Sequence, residues 1–93
     1  MKATYDGVVI AESNETIVVE GNYYFPVDSV KKEFLRESGM RTLCPWKGEA
    51  SYYNIEVHGK LLKNAAWYYP DPGWLAKKVK DRVAFDDPIE VVE

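Results

Sequence analysis

The first quarter of the chain alternates short β-branched runs with polar turn residues. Lys2–Tyr5 and Val8–Glu12 are predicted strands, and the intervening Asp6-Gly7 is typical of a two-residue hairpin turn, because its glycine accepts positive φ at little cost. Two more short runs, Thr16–Glu20 and Tyr23–Phe25, follow after polar breaks. This pattern predicts a meander of short strands.

A helical period replaces the alternation after Pro26. The apolar positions that fall on one helix face are Val27, Val30, Phe34 and Leu35. Asp28 and Ser29 are typical of a first helical turn, and Gly39 is a typical stop. The spacing therefore predicts one α-helix near 27–38, lying on a sheet.

The second half of the chain returns to strand patterns. Glu49–Val57 and Lys60–Tyr69 are predicted strands, joined into a hairpin at His58-Gly59. Pro70–Gly73 ends the second strand. The remaining predicted elements are a short helical turn near 74–80 and strands at Arg82–Phe85 and Ile89–Val92. Together these elements predict a mainly β (β-rich α+β) fold.

Length and charge narrow the function. A chain of 93 residues predicts one domain over 1–93, and 46% hydrophobic residues are enough for a folded core. With 12 basic and 15 acidic residues, the net charge is −3, so the chain lacks the basic face that nucleic-acid binding needs. We therefore expect no nucleic-acid partner.

Cysteine and histidine usage limits the chemistry further. The chain has one cysteine and one histidine, which excludes an intrachain disulfide, a Cys-pair zinc site and a multi-histidine centre. We expect no metal and no cofactor. No apolar run approaches membrane-spanning length, so the sequence predicts no membrane partner and a cytoplasmic location.

Cys44 is the candidate catalytic residue, as a nucleophile or redox group. A thiol reacts as its thiolate, which a nearby cation stabilises, and Lys47 lies three residues away across a Pro/Gly turn. His58 is a second basic residue that hairpin curvature could bring near. The alternative is that Cys44 is a small buried hydrophobe.

Aromatic residues concentrate in Thr42–Val57 and Ala65–Pro72. The predicted ligand-binding residues are Trp46, Lys47, Tyr52, Trp67 and Tyr69. Strand alternation would place Ala65 on one face with two of the large rings, Trp67 and Tyr69, where its small side chain leaves space for a cleft. Lys47 would meet an anionic or carbonyl group of the ligand. The alternative is that the rings form a solid core.

The ordered motifs GVVIAES, VEGNYYFP, CPWKGEASYY, AAWYYPDP and VAF resemble domain-of-unknown-function family 427, sometimes labelled nucleotidyltransferase-like. The resemblance runs nearly end to end. It implies a β-tent-like fold, two antiparallel sheets meeting at an angle, similar to B-type methionine sulfoxide reductases and the cyclic-imide-binding domain of cereblon. Most such relatives hold zinc with two Cys-x-x-Cys pairs, which one cysteine cannot supply. The chain also lacks a Gly-rich phosphate loop to support the nucleotidyltransferase label.

Three functions remain open. The first is a small-molecule binding module with an aromatic-lined cleft. The second is an enzyme that uses Cys44. The third is a protein-interaction domain that pairs through a sheet edge, at Lys2–Tyr5 or Ile89–Val92, with a homodimer as one form. The sequence leaves the ligand and the oligomeric state open.

Overall fold

A computed structural model describes all 93 residues of the chain. The fold consists of nine β-strands and three short 3₁₀ segments. The strands are β1 (Lys2–Tyr5), β2 (Val8–Glu12), β3 (Ile17–Val19), β4 (Asn22–Pro26), β5 (Leu35–Cys44), β6 (Gly48–Val57), β7 (Lys60–Tyr68), β8 (Arg82–Phe85) and β9 (Glu90–Val92). The 3₁₀ segments are Val27–Ser29, Lys32–Phe34 and Trp74–Val79. A mainly β fold and a helical turn near 74–80 are thus confirmed.

The strands form two antiparallel sheets. The small sheet has the order β2-β1-β9, and the large sheet has the order β3-β4-β8-β7-β6-β5. Because β1 lies in the centre of its sheet, the prediction that Lys2–Tyr5 is a free edge was wrong. The C-terminal strand β9 is an edge, but it contains only three residues.

Two hairpin turns follow directly from their sequences. Asp6 and Gly7 have φ of 51° and 75°, and Tyr5 pairs with Val8 across the turn. Two left-handed residues in succession are the conformation that matches the right-handed twist of the flanking strands. The His58-Gly59 turn does the same between β6 and β7, so the predicted β6–β7 hairpin is confirmed.

The predicted α-helix at 27–38 is wrong. Two separate 3₁₀ turns occupy its first half, and β5 begins at Leu35. The chain between the turns is extended, because Val30 forms a bridge with Ala11 and the Lys31 amide donates to the carbonyl of Ile10. Backbone donors that a helix would satisfy internally are thus satisfied by β2. Gly39, the predicted helix stop, lies inside β5.

The large sheet is covered by apolar residues on both faces. Tyr24 and Phe25 are adjacent and both fully buried, yet they belong to different clusters, as alternation along a strand requires. The first cluster joins the two sheets and includes Phe25, Ile55 and Phe85 with Ile10 and Ile89 from the small-sheet side. The second cluster contains Val19, Tyr24, Ala50, Tyr69, Ala76, Val79 and Ala84.

Bulges interrupt the pairing of β6 with both neighbours. Register shifts occur between Glu37 and Arg41 of β5 and opposite Asn54, where Asn64 of β7 adopts a φ of 54°. The side chain of Asn54 accepts the Asn64 amide proton at 2.8 Å, which replaces a ladder bond lost in the bulge. Bulges reset the side-chain alternation of a strand.

The β7 bulge corrects one face assignment. Ala65 belongs to the first cluster, whereas Tyr69 belongs to the second and Trp67 packs against it. The predicted common face of Ala65 with these two rings is therefore wrong. No helix of the protein is both long enough and apolar enough to cross a bilayer.

Candidate functional site

The six residues predicted as a site gather around the second cluster. Tyr69 is part of that cluster, and Cys44, Tyr52 and Trp67 pack against it. Trp46 and Lys47 lie in the turn between β5 and β6, which runs back over Tyr69. The structure therefore brings these six residues to one region of the large sheet.

Lys47 is the charged centre of this group, and it is buried. Its residue is only 6% exposed, and its ammonium forms a hydrogen-bonded ion pair with Glu20 in the β3–β4 turn. The ammonium also lies 5.3 Å from the ring centre of Trp46 and 5.5 Å from that of Tyr69. These are cation–π distances. The ammonium is thus surrounded by the protein's own carboxylate and rings.

The ion pair changes the pKa values of both Lys47 and Glu20. Burial acts to lower the pKa of Lys47, but the hydrogen bond to Glu20 and the neighbouring tyrosines outweigh it, and the pKa is raised. The hydrogen bond from Lys47 lowers the pKa of Glu20. Lys47 is therefore a fixed cation at neutral pH, not a nucleophilic amine.

The two other polar ring groups of this region have protein partners. The Trp67 indole Nε1 donates to the Tyr24 hydroxyl at 3.2 Å, and the two rings meet edge to face at 89°. The Tyr52 hydroxyl lies 2.9 Å from Thr42 Oγ1. These contacts satisfy the polar atoms of Trp67 and Tyr52 as packed sheet residues.

Cys44 is a half-buried free thiol at the end of β5. Neither of the two basic side chains that the sequence suggested as its neighbour, Lys47 or His58, forms a hydrogen bond with the thiol. Lys47 pairs with Glu20, and His58 Nδ1 lies 2.9 Å from an Asp6 carboxylate oxygen in another turn. Nowhere do three or more His, Cys, Asp or Glu side chains group as metal ligands.

A pocket of about 250 Å³ lies at a different place, where β7 and β8 separate. The two strands pair only at Ala66–Phe85 and Trp67–Ala84. Beyond these pairs, the end of β7 and the start of β8 are not paired, and the pocket lies between these two segments. Its lining residues are Val27, Tyr53, Tyr68, Tyr69, Pro70, Asp81, Arg82 and Val83. Tyr69 is the one member that the sequence also predicted.

Tyrosine rings form one wall of the pocket. Tyr53 and Tyr68 stack with ring centres 4.8 Å apart and planes 22° apart. Burial, reinforced by Tyr68, raises the pKa of Tyr53; burial also raises the pKa of Tyr69 against the opposing effect of Lys47. The Tyr53 and Tyr69 phenols therefore stay protonated at neutral pH and can donate hydrogen bonds.

Arg82 is the cation of the pocket. Its Nη1 donates to the backbone carbonyls of Glu15 at 2.7 Å and Tyr24 at 3.5 Å, and no carboxylate forms an ion pair with it. The neighbouring Asp81 is exposed, and its carbonyl accepts the Val27 amide proton at 2.8 Å. That bond holds the chain entering the first 3₁₀ turn against the start of β8.

Sequence reasoning missed most of the pocket residues. The available signal was the pair of doublets Tyr52-Tyr53 and Tyr68-Tyr69, since adjacent strand residues point to opposite faces. In each doublet one ring reaches toward the second cluster and the other packs against the first. The missed members Val27 and Arg82 carry no comparable signal, because only the tertiary fold brings them to the tyrosines.

A protein-family model described as a domain of unknown function, DUF427, matches residues 1–93, the whole chain. No curated protein matches the chain.

Proposed function

The chain belongs to the DUF427 family, and we propose that it is a small-molecule binding domain whose ligand enters the pocket between the diverging ends of β7 and β8. The β-tent arrangement of two sheets at an angle, implied by the family resemblance, is part of this proposal. In such a domain, the sheets supply a rigid frame and the strand ends supply the contacts.

The observation that carries the proposal is the composition of the pocket. It combines apolar side chains and tyrosine rings with one unpaired guanidinium, the mixture that is typical of small-molecule sites. Its volume of about 250 Å³ lies just below the usual range of roughly 300–1,000 Å³. The volume favours a compact metabolite over a nucleotide.

The ligand-binding residues predicted from the sequence remain part of the proposal, either at the edge of the pocket or at an alternative site. Tyr69 lies at the boundary between the pocket and the second cluster. Trp46, Lys47, Tyr52 and Trp67 lie around that cluster and form the alternative ligand site. Residue-resolved ligand titration separates the two locations.

The enzymatic alternative, with Cys44 as the nucleophile, stays a prediction that no contact of the thiol favours. Alkylation of the folded protein by iodoacetamide tests it. A Cys44 that reacts no faster than a free thiol would remove the argument for an activated nucleophile. The sheet-edge interaction hypothesis stays a prediction for β9 alone.

The binding proposal is tested by blocking the pocket. Val27 and Val18 are both exposed valines, at 37% and 54%, but only Val27 lines the pocket. A panel of compact planar probes (phenol, benzamide and indole) is titrated into the protein while amide chemical shifts are recorded. We expect shifts at Tyr53, Tyr68 and Val83 that Val27→Trp abolishes and Val18→Trp preserves.

Two results would overturn the proposal. One is the absence of saturable shifts for every probe at millimolar concentration. The other is a set of shifts confined to Trp46, Lys47 and Tyr52 that Val27→Trp leaves intact, which would locate the ligand at the alternative site.

A further inference from the structure

We infer that the pocket selects a planar monocarboxylate, held by Arg82 and stacked on the Tyr53–Tyr68 wall. This inference rests on the proposed binding function and adds the ligand class. It depends on three features of the pocket: an uncompensated cation, a flat wall and a single neighbouring acid.

The uncompensated cation is the first feature. Two other basic side chains have carboxylate partners within the protein: Arg36 pairs with Glu56 at 2.9 Å, and Lys47 pairs with Glu20. Arg82 lines the pocket without such a partner. A partly buried guanidinium without a counter-charge favours an anionic ligand, because the ligand restores the missing charge interaction.

Arg82 is also held in place before any ligand arrives. Its Nη1 is fixed by the Glu15 and Tyr24 carbonyls, which leaves Nε and Nη2 as donors without a protein partner. Parallel N–H donors of a guanidinium match the two oxygens of a carboxylate. Because the side chain is already ordered, binding costs less conformational entropy.

The flat wall indicates the shape of the rest of the ligand. The rings of Tyr53 and Tyr68 lie nearly parallel and both residues line the pocket, and Val27, Pro70 and Val83 supply apolar contacts. A planar ring fits such a wall by offset stacking.

The single neighbouring acid limits the charge of the ligand. Asp81 also lines the pocket, but no ion pair joins its carboxylate to Arg82. A ligand with one negative charge is balanced by Arg82, whereas a phosphate-rich ligand would face repulsion from Asp81 with no second cation in the lining. The pocket therefore favours a monoanion over a nucleoside phosphate.

The experiment compares acids with their neutral amides. Benzoate and 4-hydroxybenzoate are titrated against benzamide and 4-hydroxybenzamide by amide chemical shifts. We expect the acids to bind about 10-fold more tightly or better, the usual size of a charge-assisted hydrogen-bond contribution. Arg82→Gln, which keeps an N–H donor for the Glu15 carbonyl, is expected to remove this preference, because it weakens the acids more than the amides. The control Arg36→Gln should keep the preference.

The outcomes separate the two proposals. Equal affinity for acid and amide, with shifts at the pocket residues, overturns the carboxylate inference and leaves the binding function standing. Silence of these four probes together with phenol and indole in the wild-type protein overturns both.

If Arg82→Gln does not fold, the salt dependence of the wild-type protein decides. An acid affinity that falls from 20 to 500 mM NaCl while amide affinity stays constant supports Arg82 recognition. Identical salt dependence of the two probes contradicts it.

Discussion

Glu20 and Lys47 form an ion pair whose partners differ in exposure. The Lys47 side chain is 7% exposed and the Glu20 side chain is 51% exposed. Removing the exposed carboxylate leaves a buried ammonium without a counter-charge, whereas removing the ammonium leaves a carboxylate that water can solvate. The pair is therefore energetically asymmetric.

This asymmetry predicts an order of stability. We expect Glu20→Gln to lower the free energy of unfolding more than Lys47→Met, because methionine keeps the apolar stem packed between Trp46 and Tyr69. Urea unfolding at pH 7 followed by circular dichroism measures the order. The reverse order would show that the ring contacts of the ammonium, not its carboxylate, stabilise it.

The same pair predicts an acid dependence. Because the pKa of Glu20 is lower in the folded protein than its ordinary 4.5, its stabilising contribution is present above pH 4.5 and disappears as pH falls through the lowered value. Glu20→Gln should therefore lose less stability than the wild-type protein between pH 6 and pH 3. Urea unfolding across this range tests the prediction, and parallel pH profiles would contradict it.

At the residue level the sequence predicted a location but not partners. The clustering of Cys44, Trp46 and Lys47 near the β6–β7 hairpin was visible in the sequence. Glu20, 27 residues before Lys47, carried no signal as its counter-ion. A lysine that binds a ligand and a lysine that forms an ion pair with a glutamate have the same sequence signal, so only the fold distinguishes them.

At the level of elements, the β5–β6 turn packs directly on the loop before Trp74–Val79. The Gly73 amide donates to the Lys47 carbonyl at 3.0 Å, and a Cβ built on Gly73 would lie 2.7 Å from the Trp46 carbonyl oxygen. Two backbone segments meet there with no room for a side chain. Gly73 is thus required by its neighbour rather than by its own φ.

This contact predicts a large difference between two glycines. Gly73→Ala should destabilise the protein by about 1–3 kcal/mol, since backbone atoms must move to relieve the overlap. Gly39→Ala, where nothing lies within 4 Å, should change stability by less than about 0.5 kcal/mol. Thermal or urea unfolding of both variants checks the difference, and equal effects would contradict the close packing.

The elements themselves were predictable in unequal measure. The Arg82–Phe85 strand and the two hairpins at 6–7 and 58–59 follow from local patterns, and the structure confirms them. The helix failed because the spacing of Val30 and Phe34 also fits a turn followed by an extended chain. The competing partner, β2, lies some 20 residues earlier, so no local window contains it.

At the level of the whole molecule, the first cluster connects the two sheets. Ile89, just before β9, is 4% exposed in that cluster, which also holds Phe25 and Ile55 of the large sheet. The Cα radius of gyration is 12.4 Å, close to the value of about 12 Å for a compact chain of this length. Loss of packing between the sheets should thus affect the entire chain.

We accordingly predict one cooperative transition. Ile89→Ala should lower the free energy of unfolding by about 2–4 kcal/mol, because it leaves a cavity between the sheets. Trp74→Ala, at a side chain 78% exposed, should change it by less than about 0.5 kcal/mol. Urea transitions recorded by near- and far-ultraviolet circular dichroism should coincide in both variants, and separate midpoints would show that the sheets unfold independently.

The three tryptophans differ in their exposure to solvent, so their fluorescence reports on three different depths of the protein. Trp74 is 78% exposed to solvent. Trp46 is 38% exposed, and the Lys47 ammonium lies against its ring. Trp67 donates a hydrogen bond from its indole N–H to the Tyr24 hydroxyl. Collisional quenchers such as iodide reach Trp74 most readily, and the emission that survives comes from shorter wavelengths. Quenching therefore reports on the exposed Trp74 first and on the partly buried Trp67 last, without any introduced label.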